Sequence, residues 1–184
     1  MPSSNGVYNI NNLSPVGFSF MLKRCPNLNW FIQDVNVPGI SLGDASKYYA
    51  TGKAAIPGDH VEYNELNVTF VVDESLNNWR ELFNWMRGLA PTAVNGDNQY
   101  KYLENSDFGL TSDGSLVILT NSSNPNITMS FKDLFPISLS DIRFSTTDTS
   151  LNPITVTASF RYSYFDFDIV NTEYNDEYVP ANKI

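Results

Sequence analysis

Pro153 to Phe167 reads P-I-T-V-T-A-S-F-R-Y-S-Y-F-D-F, and its period decides the fold class. Ile154, Val156, Ala158, Phe160, Tyr162 and Tyr164 fall on one face. Thr155, Thr157, Ser159, Arg161, Ser163 and Phe165 fall on the other. Alternation held this long in β-branched and aromatic residues predicts a strand. At ~3.3 Å per residue it would span roughly 40–50 Å, which suits a barrel wall or a large sheet. Arg161 puts a charge on the polar face, which calls either for an acid such as Asp141 or for a bend of the strand there.

Shorter runs of the same kind lie on either side. Phe18, Phe20 and Leu22 alternate with polar neighbours; Trp30 to Val35 and Leu66 to Val72 read as further strands. Ser112–Gly114 reads as a turn into Leu116–Leu119, which pairs with Ile127–Phe131 across the turn Asn121–Pro125. Lys132–Pro136 interrupts the pattern, and Ile137–Phe144 is a further extended run. One segment has helical spacing instead. Leu76, Trp79, Leu82, Phe83 and Met86 predict an amphipathic helix over about 76–87, with Ser75 as N-cap and Gly88 and Pro91 at its end. Strands, one helix and strands again predict a mainly β chain: an antiparallel β-barrel or sandwich flanked by one amphipathic α-helix.

Three segments fall outside this pattern. Residues 1–14 are Asn/Ser-rich and read as a flexible arm; residues 168–184 read as an acidic C-terminal tail. Between them, Ser41–Asp59 has no clear period and reads as an ordered arm needing a partner.

Composition narrows the functions. The 184 residues carry a net charge of -9, and their Lys and Arg form no dense run. A protein that holds nucleic acid by its phosphates needs the opposite charge. One cysteine, Cys25, and one histidine, His60, cannot build a His/Cys metal site. His60 follows Asp59 in a turn and is not expected to catalyse. Phosphate-cradle and nucleophile-elbow motifs are absent, so no cofactor is expected. No apolar run approaches the ~20 residues of a membrane span, and the N-terminus is unlike a signal peptide. Two other readings remain open on residues alone. One is a monomeric carbohydrate-binding β-sandwich using Tyr48, Tyr49, Tyr100 and Tyr102; the other is a hydrolase with dispersed carboxylates.

The order of segments resembles the tail tube proteins of contractile-tailed bacteriophages. The likeness rests on V-N-V-P-G-I-S at Val35–Ser41, L-N-V-T-F-V-V-D-E at Leu66–Glu74, and N-W-R-E-L-F-N-W-M at Asn78–Met86. F-K-D-L-F-P-I-S-L-S-D-I-R-F at Phe131–Phe144 and the strand after it complete the set. It covers roughly residues 16–167, within a domain taken as 15–167. The baseplate proteins that start the tube and the ring proteins of type VI secretion share that domain.

The resemblance implies a fold completed by oligomerisation into a ring, commonly a hexamer, with strands of neighbouring subunits forming one barrel around a lumen. Stacked rings would make a tube through which DNA passes without specific binding. The repeating tube subunit is the leading role; a baseplate initiator or a tail terminator is the alternative. Residues 42–59 would be the ring-stacking loop, with Lys47, Tyr48, Tyr49, Lys53 and Ile56 in contact with the next ring. Thr155, Thr157, Ser159 and Ser163 would face the lumen. Partners would be the chain itself and the sheath and baseplate proteins. The location would be the virion, after assembly in the host cytoplasm.

Overall fold

The computed structural model describes residues 12–49, 51–90, 109–147 and 152–169. Most of the expected arm, most of the acidic tail, and Tyr100 and Tyr102 lie outside these residues. The architecture follows from one repeated fact: each strand has an apolar face to bury. The strands are β1 (Phe18–Leu22), β2 (Ile32–Val35), β3 (Ile40–Tyr49), β4 (Gly52–Tyr63), β5 (Leu66–Val71), β6 (Ser112–Leu119), β7 (Pro125–Leu139), β8 (Thr155–Arg161) and β9 (Tyr164–Ile169). The hairpin β3–β4 is the exception to that rule, and the helix, α1, is Asn77–Leu89.

All pairing among the described residues is antiparallel, as the sequence predicts. The main sheet has the order β1-β6-β7-β8-β5-β2, and β9 also pairs with β7. Because β7 is long, it serves two halves. Its first part carries β6 on one edge and β9 on the other, giving a four-stranded sheet A, β1-β6-β7-β9. Its last part pairs with β8, giving sheet B, β7-β8-β5-β2.

Cross-strand partners share a face, so the register shows what each face carries. In sheet A the rows Phe20–Leu116–Met129–Phe167 and Leu22–Gly114–Phe131–Phe165 form the apolar side. In sheet B, Leu66–Phe160, Val68–Ala158 and Phe70–Val156 do the same. Apart from Phe167, at the outer edge, these side chains meet in one core with Leu82 and Trp85 of α1. The Trp85 ring lies 6.3 Å from that of Phe160, and its Nε1 donates to the Leu110 carbonyl at 2.9 Å.

The stretch from Pro153 to Phe167 is not one strand. It breaks at Tyr162–Ser163 into β8 and β9. Opposite the break, Asp133 of β7 takes the left-handed conformation (φ 57°). Such a bulge adds a residue and rotates the ribbon. The inward phase therefore shifts on both strands: Phe160 and then Phe165 face the core, as do Phe131 and then Leu134, while Tyr164 is turned out. This corner swings sheet A into sheet B. The Ser112–Gly114 segment, expected as a turn, is the start of β6. Lys132–Pro136, expected as an interruption, runs on within β7, which ends at Leu139. Trp30 belongs to a 3-10 turn, Leu28–Trp30, rather than to a strand.

The start of α1 also differs from expectation. Leu76, at φ 58°, is the N-cap, and no side-chain cap is made there. The backbone N–H of Asn77 donates instead to Asp73 Oδ1 at 2.7 Å. Buried Asn78 accepts from the Trp79 N–H at 2.8 Å and donates to the Val71 carbonyl at 2.8 Å. The left-handed turn at Leu76 brings Asp73 over the first helical turn, where its oxygen satisfies an orphan donor. The helix continues through Gly88, which is buried. Its buried stripe is Asn78, Leu82, Trp85 and Gly88. Phe83 stays partly exposed, at 41%, and stacks on Trp79 at 5.1 Å.

Candidate assembly surfaces

Residues 42–59, expected as a loop, belong to a β-hairpin. Among the described residues, β3 and β4 pair only with each other. No residue of either strand is buried, which explains the missing period. Without a core on either side, no face must be apolar. Asp44–Tyr49 pairs in register with Gly52–Pro57. Tyr48 lies opposite Lys53, and Ala45 opposite Ile56. Lys47 Nζ sits 5.6 Å from the centroid of the Tyr49 ring, a cation–π distance. The five residues expected to contact a partner are thus on one projecting element. Tyr48 is 77% exposed.

The register shifts between Leu42 and Asp44, where Gly58 and Gly43 cross. A Cβ on Gly58 would fall 2.7 Å from the Gly43 carbonyl carbon and nearer still to its oxygen. At the base, Tyr63 packs on Phe165 at 5.5 Å and on Tyr162 at 5.8 Å. Ile40, Leu42 and Val61 continue this apolar surface into solvent.

Thr155, Thr157 and Ser159 lie on the polar side of sheet B, the latter two bonded to β5. Thr157 Oγ1 is 2.9 Å from Thr69 Oγ1, and Ser159 Oγ donates to Asn67 Oδ1 at 2.7 Å. Ser163 is separated from them, at the corner, where its N–H donates to the Lys132 carbonyl at 3.0 Å. Arg161 pairs with Glu65 at 3.6 Å, not with Asp141, because Glu65 immediately precedes β5, the strand beside it.

A second polar face escaped the sequence reading. On sheet A the rows Met21–Ser115–Ser130–Asp166 and Ser19–Val117–Thr128–Asp168 lie opposite the core side. At one end of this face Lys132 Nζ meets Asp113 Oδ2 at 3.0 Å, and Lys23 Nζ meets the same oxygen at 3.6 Å. The bond from Lys132 holds the Asp113 carboxyl below its usual range, and the same bond raises the Lys132 ammonium. No local motif announces this cluster; it exists only through the register of three strands.

Sheet A also has two open edges. Among the described residues, nothing pairs with the outer edge of β1 or of β9. Phe167, on the apolar side of β9, is 54% exposed. Such edges invite a further strand.

Nothing in the described residues assembles a reaction centre. They contain no group of three or more potential metal ligands. His60 and Asp59 are both exposed, 3.6 Å apart. Cys25 is buried, and burial pushes its thiol up to about 12. No helix among the described residues is long and apolar enough to cross a membrane.

A family model described as phage tail tube protein matches residues 7–168. The tail tube terminator protein of Enterobacteria phage T4 is 29% identical over 140 residues, covering 74% of this chain and 76% of that protein. Among solved structures, a chain from the sheath–tube complex of the extracellular contractile injection system PVC has a TM-score of 0.59. It is 14% identical, over 86% of this chain and 93% of that one. A chain from the tube-terminating cap of the anti-feeding prophage has a TM-score of 0.58 at 10% identity, over 91% and 97%. At these identities the solved structures speak to the fold alone.

Proposed function

This chain belongs to the phage tail tube protein family, a family of structural tail components rather than enzymes, and from that premise we propose that it forms the ring that terminates a tail tube. The observation that carries the terminator role is the likeness to the T4 tail tube terminator over about three quarters of both chains. The geometry supports a ring. With β1 open on one side of sheet A and β9 on the other, copies can add head to tail, and such contacts close when the rotation allows. The ring, a hexamer on this reading, encloses a channel for DNA. The hairpin β3–β4, through Lys47, Tyr48, Tyr49, Lys53 and Ile56, reaches the neighbouring ring. Sheath and baseplate proteins are the further partners, and the virion tail is the location.

The second reading is the repeating tube subunit, which the family description favours. A repeating subunit must match its own upper and lower faces; a terminator must match a tube on one face only. Electron microscopy of the purified protein over a range of concentrations separates the two. Discrete rings that cap added tubes support the terminator, and open-ended tubes of this protein alone replace it with the repeating subunit. Monomers at every concentration, with no binding to tubes, overturn both.

A further inference from the structure

We propose that the exposed face of sheet A is a wall past which a polyanion slides, and that Asp113 is the residue that keeps the wall from holding it. This rests on the ring reading above, with DNA as the polyanion. Among the described residues sheet A has both edges open, whereas sheet B continues through β7 into sheet A on one side. Only sheet A can therefore repeat as an arc around a closed barrel. Its large side chains already pack against sheet B and α1, so its other face turns to the channel. That places the wall on sheet A rather than on the face of Thr155, Thr157 and Ser159.

The wall's composition fits. Its middle is short and mostly hydroxylic: Ser19, Ser115, Thr128 and Ser130. Its described charges are Lys23 and Lys132 against Asp113, Asp166 and Asp168, two positive and three negative, or -1 per copy. Both lysines converge on one oxygen of Asp113, which stands where a phosphate oxygen would otherwise bind. To neutralise a phosphate, and so release a counterion, a lysine paired with Asp113 must first give up that pair, which offsets the gain that drives such binding. The bulge at Asp133, beside Lys132, lies directly across from Asp113 on β6. Without Asp113 the two lysines form one divalent cationic site.

Two measurements test this. In the first, the Asp113→Asn protein is titrated with a short fluorescent DNA duplex. Expected is binding that wild type lacks, weakening between about 50 and 200 mM salt with a log–log slope approaching about -1.8 for two neutralised phosphates. The triple variant Lys23→Ala, Lys132→Ala, Asp113→Asn should lose that binding. No gain by Asp113→Asn, with unchanged circular dichroism, overturns the masking role. In the second, Ser130→Cys and Thr157→Cys are labelled in assembled rings, with the wild type, whose native thiol is buried, as the blank. The thiol introduced at position 130 should accept a small maleimide but exclude a polymer-conjugated one, while the thiol at position 157 accepts both. The reverse pattern overturns the placement of the wall. The duplex titration does not need rings. A gain of binding by a protein that forms none would keep the mask and remove the ring reading.

Discussion

Replacing Gly58 with alanine separates what folds this chain from what assembles it. The new Cβ would stand 2.7 Å from the Gly43 carbonyl carbon and closer to its oxygen. Both are backbone atoms, so no rotamer change relieves the clash. Ordinary contact needs the strands to part by about 1 Å, which across a strand spacing of about 4.8 Å is a rotation of roughly 12°. From Gly58 to the turn at Gly52 the hairpin is about 20 Å long at ~3.3 Å per residue, so the tip swings by about 4 Å. A displacement of that size carries Tyr48 and Lys53 away from any preformed contact. The core is untouched, because no residue of β3 or β4 is buried and the contacts of Tyr63 with Tyr162 and Phe165 lie at the base, on the other side of Gly58 from the tip. The midpoint of thermal unfolding should therefore stay within a few degrees of wild type, while docking of rings on tubes in electron micrographs fails. Gly52→Ala, with nothing within 4 Å of the added carbon, is the control and should behave as wild type. Normal docking by Gly58→Ala would refute the reasoning, and so would unfolding.

Three further outcomes follow from the packing. Phe160→Ala removes a fully buried ring that faces Trp85, and should cost about 3–5 kcal/mol in urea unfolding. Asn78→Ala leaves the Val71 carbonyl and the first turn of α1 without their partner, and should cost about 1–3 kcal/mol by the same measurement. The Glu81 carboxyl is held above its ordinary 4.5 by burial, although it accepts from Asn27 Nδ2 at 2.7 Å. The folded state thus binds this proton more tightly than the unfolded chain does. Its contribution is full below pH 4.5 and is lost as pH rises through the folded value. Glu81→Gln should flatten that part of the stability–pH curve, and an unchanged slope would exclude Glu81 as its source.

The fold was legible in the sequence wherever a strand has one buried face. Phe18–Leu22, Leu66–Val71 and the β6–β7 hairpin alternate because water and core divide their residues. The hairpin β3–β4 was not legible as strands, since its order comes from pairing without burial. The break at Tyr162–Ser163 was signalled only by the charge of Arg161 on the polar face, and its change of phase was hidden for a different reason. Tyr162, Tyr164, Phe165 and Phe167 suit either face, so the alternation reads straight through a change of phase. The proposed contact residues Lys47, Tyr48, Tyr49, Lys53 and Ile56 could be grouped by nearness in sequence. The cluster of Lys23, Asp113 and Lys132 could not, because it needs a register that Ser112–Gly114, read as a turn, concealed.

The two open edges come from opposite ends of the chain. Phe18 of β1 pairs with Ile118, 100 residues later, and β9 is the last strand described. During synthesis β1 waits for its inner neighbour until β6 has emerged, and contacts so distant in sequence form slowly. A chain stopped before Tyr164 would lack β9 and uncover the edge of β7 over Ile127–Lys132 in its place. One edge of sheet A is thus set by residues made early and the other by residues made late, and both stand in their final form only once β1 has found β6 and β9 has found β7.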